Sequence, residues 1–473
     1  LDTPGRRFGR AVVIGGSMAG LLSARVLSDH FEQVILLERD PRPDGPQPRK
    51  GVPQGPHLHV LLDTGRRLLD GFFPGLFQHL QEQGAELIDS SGELAWHHFD
   101  VWKARYTGGI PLLLCTRTFL EWHVLRRVVA LPNVELREGC SAERLLTDSA
   151  RQRITGVQLK GPAGEAPLQA DLVVDASGRG SRAPQWLEAL GYGRPEEEQV
   201  GVDLAYTSRL YEPPASFQGE WKALMQYPSP PSTWRSGFIS SVEGGRWLVT
   251  LNGYFGDHAP TEPEGFLEFA RSLPRPDLHA YLRDAKPLGP ISTHKVKDTR
   301  WRHYEHMARF PEGLVILGDA VCAFNPIFGQ GMSVAGLGAE LLHECLREQT
   351  RRSPGRLEGL AWRFRKRLPG VIRQPWLMST SLDLQYPQAT GRRRSGLGLV
   401  HWYIRRMLER TSRDAAVHHQ FNRVLHLQSG LGAILQPSVA LSVLAHGAQA
   451  LFVPLRERAN TDTLPPPPEA RRS

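Results

Sequence analysis

The hydrophobic pattern of this chain changes twice along its length. In the first part, short unbroken apolar runs alternate with stretches whose apolar residues return every three or four positions. Residues 11–14 form one such run, followed by the small-residue turn Gly15-Gly16-Ser17-Met18-Ala19-Gly20, after which Leu21, Leu22, Val26 and Leu27 recur at helical spacing. This predicts strand, tight turn, helix. Residues 31–39 predict a second buried strand, 171–178 another running into a small-residue turn, and 313–320 a further one ending in a glycine and an acid. Between them the pattern predicts a helix over 60–73, strands at 85–89, 98–102, 111–115, 134–136 and 154–159, and a helix opening at Thr116 or Thr118. From about 195 to 295 short strand-like runs alternate with turns, which predicts a mainly antiparallel sheet in a second lobe. After a helix from Gly331 through Leu346, the last third reads as helices at 356–368, 372–384, 397–411 and 414–427.

Composition narrows the class. At 473 residues with 40% apolar and 22% charged residues, the chain predicts a globular protein of two or three lobes. No leader is visible and the first residue is not Met; a cytoplasmic location is expected. Cys115, Cys140, Cys322 and Cys345 lack paired spacing and read as scattered thiols, and the histidine pairs lack partner ligands, so no metal is expected. The net charge of +8 is uneven: residues 345–473 carry +13, against −5 for the rest. The arginines there interleave with Trp362, Phe364, Trp402 and Ile404, which favours a solvated helical surface over a nucleic-acid partner. Residues 430–455 are apolar but broken by Gln436-Pro437, His446-Gly447 and Gln449, so they predict a packed helix pair and no membrane span. Residues 463–469 read as a disordered tail.

Three stretches carry candidate chemistry. At 15–20, Gly15 permits the turn, Gly20 lets helix and strand approach, and the free amides of the helix start favour a pyrophosphate. Ser17 stands where the usual G-x-G-x-x-G pattern has its second glycine. Glu38, 18 residues after Gly20 and beside Arg39, sits where an acid binds a ribose hydroxyl. The irregular segment 49–59 follows, rich in backbone donors and cations. Asp319 ends the strand at 313–320 and can bind a cofactor hydroxyl, while the amides of Gly331 and Met332 open a helix that favours an anion.

In this order, these motifs resemble those of FAD-dependent monooxygenases of the para-hydroxybenzoate hydroxylase type over roughly residues 8–345. The stretch from Gly318-Asp319 to Gly329-Gln330-Gly331-Met332 is the closest match. Asp175-Ala176-Ser177-Gly178-Arg179-Gly180-Ser181-Arg182 is a variant of the family's middle motif, with small residues inserted. Among members, the chain looks most like bacterial epoxidases of polyether and polyketide biosynthesis.

The resemblance implies an α/β fold with a Rossmann-like FAD-binding domain, an antiparallel-sheet substrate domain and a helical C-terminal region. The FAD-binding domain is expected in three parts (1–83, 116–194, 296–346), the substrate domain in two (84–115, 195–295), and the helical region at 347–473. It also implies FAD, O2, and NADPH or NADH or a separate flavin reductase as electron donor. Gly15 to Gly20, Glu38, Arg39, Arg117, Asp175, Gly178, Asp319, Pro326, Gly329, Gly331 and Met332 would hold the cofactor, with Arg49 and Gln54 as further candidates. Phe324, Pro326 and Phe328 would lie near the flavin ring. The implied reaction inserts one oxygen atom from O2, by way of a flavin C4a-hydroperoxide, into a small apolar substrate. An alkene of a polyketide or terpenoid is expected; an aromatic hydroxylase and an isoprenoid double-bond reductase are the alternatives. The tryptophan signature of flavin halogenases is absent.

Overall fold

The computed structural model describes residues 8–162, 164–393, 395–450 and 463–468. The apolar runs of the first part become one parallel sheet. Its strand order is Leu314–Ile316, Leu172–Asp175, Phe8–Ile14, Phe31–Leu37, Val134–Arg137, with Val12 opposite Val173 on one side and Ile35 on the other. Both faces are covered, so these strands are apolar without alternation. Helix α1 (Met18–Ser28), helix α2 (Arg117–Val129) and the long helix α3 (Gly331–Arg352) pack into the same core as this sheet. Phe31, Leu21 and Val12 there are fully buried.

The second lobe is an eight-stranded sheet. Its order is Cys322–Ala323, Lys286–His303, Glu196–Glu212, Arg246–Gly253, Arg235–Val242, Ala223–Gln226, Leu94–His98, Val101–Trp102. It is antiparallel except where Leu94–His98 runs parallel to Ala223–Gln226. The expected domain border at 295 falls inside the strand Lys286–His303, which continues on to pair with Cys322–Ala323. Residues 98–102 are not one strand. Phe99 and Asp100 have φ of 52° and 62°, so the chain reverses there as a two-residue hairpin whose turn lacks the usual Gly or Asn signal.

The last third is helical: α4 (Leu360–Asp383), α5 (Leu397–Arg410), α6 (Ala415–Leu425) and α7 (Pro437–Gln449). The expected break near Pro369 is absent. α4 carries Pro369 and Pro375 inside one 24-residue helix, both buried, so packing offsets the ladder bonds that proline removes. Residues 431–435 form a 3-10 turn rather than the first helix of a pair. Among the described residues no helix is long and apolar enough to cross a membrane. Residues 463–468 lie against the sheet lobe, where Arg105 Nη1 donates to the Pro465 carbonyl at 3.2 Å and Leu464 packs on its core. The rest of the expected tail, and 451–455 of the apolar stretch, fall outside the described residues.

The helical region is tied to the sheet lobe. Phe99, at the hairpin tip, is buried among Met407, Leu408, Val417, Val439 and Val443. Beside it the fully buried Lys103 donates from Nζ to the Leu408 carbonyl at 2.5 Å and the His98 carbonyl at 3.3 Å.

Candidate active site

The first strand delivers the chain into a turn that only glycine fits. Gly15 has φ of 103°, and a Cβ on Gly20 would lie 1.7 Å from the Gly15 carbonyl oxygen. The Gly16 amide donates to Glu38 Oε2 at 2.9 Å, so the end of the second strand anchors the turn. Met18 is buried and Ala19 packs against Gly318, joining this turn to the loop after Leu314–Ile316.

An acid–arginine lattice surrounds the turn. Arg49 reaches Glu38 Oε2 at 2.6 Å with one amino group, and Glu121 Oε1 at 2.6 Å and the Gly16 carbonyl at 2.9 Å with the other. Arg117, nearly fully buried, donates to Glu121 Oε2 at 2.7 Å and to Ser17 Oγ at 2.9 Å. Ser17 Oγ in turn donates to the same Glu121 oxygen at 2.9 Å, which gives the non-glycine position of the turn a role. Burial pushes the Glu121 carboxyl up, but Arg117 and Arg49 together outweigh it and hold Glu121 below the usual range. Sequence reading missed Glu121; its signal is the four-residue spacing from Arg117 on a helix that Thr116 caps. Arg39 is exposed, and its Nη2 donates to the Gly51 carbonyl at 3.4 Å. Gln54 is half-buried in the turn after Arg49, its carbonyl accepting from the His57 amide at 3.1 Å.

Asp175 is fully buried: Oδ1 accepts from the Ser177 amide at 3.0 Å and from Ser177 Oγ at 2.5 Å, and Oδ2 from Ser181 Oγ at 2.6 Å. The inserted serines thus hold its carboxylate within its own loop. Gly178, with φ of 80° and nothing near its would-be Cβ, sits in open space on that loop.

The third motif is open to a ligand. Asp319 receives no hydrogen bond among the described residues. Burial pushes its carboxyl up, and the more distant Arg179 and Arg117 oppose this. It lies about 4.0 Å from where a Gly331 Cβ would be, beside the free amides at the start of α3. Met332 is buried behind it. The turn Pro326–Phe328 is capped by Asn325, whose Oδ1 accepts from the Ile327 amide at 3.1 Å, while Tyr227 Oη donates to the Ile327 carbonyl at 3.0 Å. Gly329 packs against Val60. Phe324, expected near the ring, is buried in the core of the parallel-sheet lobe.

A cavity of about 920 Å³ begins at this turn, where Phe328 and Gln330 form part of its wall. The sheet lobe supplies Trp96, Met225 and Tyr227; α4 to α7 supply the roof. Among the described residues no Asp, Glu, Lys or Arg lines it. Its histidines are neutral at pH 7: burial, helped by Lys103 and His97, drives His98 well below its usual range, and burial drives His426 to about 4.

The residues fit a flavin dinucleotide. A glycine turn with free amides, a ribose-type acid, an undonated half-buried carboxylate and a helix start converge on one side, and a cavity without charged groups among the described residues opens on the other.

Comparison with known proteins agrees. No protein-family model matches the chain. Protein Rv3254 of Mycobacterium tuberculosis (strain ATCC 25618 / H37Rv) is 34% identical over 398 residues, spanning 80% of this chain and 81% of that protein. Kynurenine 3-monooxygenase of Salinispora arenicola (strain CNS-205) is 27% identical over 359 residues, 72% of this chain and 73% of that one. Among solved structures, a triple mutant of the flavin-dependent brominase Bmp2 superposes with a TM-score of 0.64 at 14% identity, over 93% of this chain and 99% of that one. At that identity the likeness concerns the fold alone.

Proposed function

Because this chain belongs to the family of the M. tuberculosis protein Rv3254 and is an FAD-dependent monooxygenase, we propose that it epoxidises an alkene of a neutral, apolar polyketide or terpenoid. The observation that carries this reading is the uncharged lining of the 920 Å³ cavity beside the flavin-type turn. FAD held here would supply the redox chemistry by which one oxygen atom of O2 reaches the substrate. The reducing equivalents come from NADPH or NADH, directly or through a separate reductase.

Everything else falls to the chain. The turn at Gly15 to Gly20 and Glu38 would hold the adenosine and pyrophosphate end, with Arg49 and Arg117 balancing charge around it. Asp319 would accept a hydroxyl of the sugar-alcohol chain. The amides at Gly331 and Met332 would stabilise negative charge on the flavin pyrimidine. Pro326 and Phe328 would face the ring. The apolar lining that α4 to α7 bring would disfavour water beside a reactive oxygen donor, with Leu399, Leu435 and Leu444 of that lining exposed to solvent.

The lining decides between substrates. Hydroxylation of a phenol gains from a base that forms the phenolate. Among the described residues the cavity offers only neutral histidines, tyrosines and uncharged groups. It also offers no ion partner for an amino-acid substrate such as the one the Salinispora relative is named for. Oxygen transfer to an alkene needs neither. The aromatic-hydroxylase reading is favoured only by the names of the more distant relatives.

The test is to supply 18O2 to the reduced holoenzyme with a panel of neutral apolar alkenes and phenols. One 18O atom in an epoxide supports the proposal. Label in a catechol with none in any epoxide sinks it in favour of the hydroxylase, and an unlabelled, hydrogenated alkene points to a reductase.

A further inference from the structure

Behind the turn that faces the flavin lies a buried acid that the reaction as described does not use. Asp383 is the last residue of α4 and 1% exposed. Its Oδ1 accepts from Asn325 Nδ2 at 2.8 Å and from Tyr254 Oη at 3.4 Å. Asn325, fully buried, also donates to Tyr254 Oη at 3.0 Å and, through its own Oδ1, caps the Ile327 amide. Asp383 Oδ2 is buried without a partner. One chain of hydrogen bonds therefore runs from the end of α4 to the Pro326–Phe328 turn. Just before Asp383, Met378, Ser381 and Leu382 of α4 line the substrate cavity. The same helix touches the cavity with these residues and the flavin-facing turn with the next one.

We propose that Asp383 is a positioning residue for the flavin-facing turn. Through Asn325 it fixes where Pro326 and Phe328 stand against the flavin ring, and it joins the roof over the substrate to that turn. The inference goes beyond epoxidation and does not depend on which substrate is oxidised. It requires only that oxidised flavin binds beside the turn.

The protonation of Asp383 makes the hold measurable. Burial pushes its carboxyl up to about 7, against the opposing hydrogen bonds of Asn325 and Tyr254. The titratable groups facing it are Tyr206, Tyr254 and Tyr386 and, across a small gap, Tyr227 and His98. Burial keeps the tyrosines protonated and His98 neutral, and no cation contacts Asp383 among the described residues. Near neutral pH, Asp383 is therefore the group in this cluster that changes charge.

The experiment follows the visible absorption of the oxidised flavin in the holoenzyme between pH 5.5 and 9, in wild type and in Asp383→Asn. Asparagine keeps the acceptor for Asn325 and mimics the protonated acid. The expected result is a spectral transition near pH 7 in wild type and a single low-pH spectrum at all pH values in Asp383→Asn. In flavin-free protein, the raised carboxyl binds its proton more tightly folded than unfolded. Stability therefore falls as pH rises from about 4 towards 7, and Asp383→Asn removes that slope. A purely structural contact would not move the flavin spectrum with pH. If Asp383→Asn does not fold, Tyr254→Phe serves: it removes a donor to the carboxylate, so the spectral midpoint must rise. A wild-type spectrum that does not change with pH overturns the proposal, as does a transition that survives unaltered in the variant. Either result leaves the epoxidation reading untouched, because that reading is judged on 18O in products.

Discussion

At the scale of single residues, the cofactor turn is decided by sterics before electrostatics. A Cβ at position 20 would lie 1.7 Å from the Gly15 carbonyl, well inside contact distance and against backbone. Gly20→Ala must therefore push α1 away from its strand, and the amides it carries away from the pyrophosphate. We expect FAD affinity to fall at least tenfold, about 1.4 kcal/mol, measured by flavin titration of the apoprotein. Gly71→Ala, whose new Cβ meets no atom within 4 Å, is the control and should bind FAD as wild type does. Unchanged affinity in Gly20→Ala would mean that the turn is not where the dinucleotide sits. Glycines of this kind are legible in sequence because their spacing is the steric requirement itself. Glu121 is legible only in its spacing from Arg117 on the same helix; what the spacing does not reveal is that Arg49 and Ser17, from distant segments, converge with Arg117 on its two oxygens. Asp175 shows the reverse. Its motif position suggested a ligand contact, yet the neighbouring serines supply three hydrogen bonds locally, a competition that the spacing of the motif does not reveal.

At the scale of elements, the parallel strands, α1 and α3 were readable from apolar periodicity because burial on both faces leaves an unmistakable run. The hairpin at Phe99-Asp100 and the unbroken α4 were not. In both, tertiary packing overrides a local preference: Phe99 trades a strained φ for a place in the helical core, and α4 keeps Pro369 and Pro375 because both are buried against neighbours. Element pairing also sets a pH dependence. Glu196 of one long strand stands opposite His303 of the other, and His303 Nδ1 lies 2.8 Å from Glu305 Oε1 and its Nε2 3.7 Å from Glu198 Oε2. The carboxylates of Glu198 and Glu305, against burial, raise His303 to about 9. Because the folded value exceeds the unfolded one, this contribution is fully present below about pH 6.5 and is lost as pH rises through about 9. His303→Gln should lower the melting temperature at pH 6, by the equivalent of about 1 kcal/mol once solvent screening is allowed for, and have little effect at pH 9.5. A deficit of equal size at both pH values would show that the cluster acts by packing alone.

At the scale of the whole molecule, three parts meet at one cavity, and none of them could form it alone. The parallel-sheet lobe brings the turn at Phe328 and Gln330, the antiparallel sheet brings an aromatic wall, and the C-terminal helices bring an apolar wall whose Leu399, Leu435 and Leu444 are exposed to solvent. The basic balance of the last third suggests an electrostatic surface, but among the described residues no charged side chain lines the cavity that its helices border. These two features predict opposite salt responses. A ligand held on the arginine-rich surface is released as salt screens it, whereas one held in the cavity is not. An uncharged apolar dye such as Nile red should therefore bind the protein with an affinity that does not weaken between 0.05 and 0.5 M salt, since hydrophobic burial carries no screened term. Leu425, half-buried on the cavity wall, offers a way to locate the dye. Leu425→Trp places an indole in the free volume without touching the Gly15 turn or Asp319, so bound FAD should be retained while dye affinity falls roughly tenfold, about 1.4 kcal/mol. Unchanged dye binding in that variant, or binding that salt abolishes, would place the apolar ligand on the outer face of the helices. The uncharged cavity could then no longer serve as the argument for a neutral substrate.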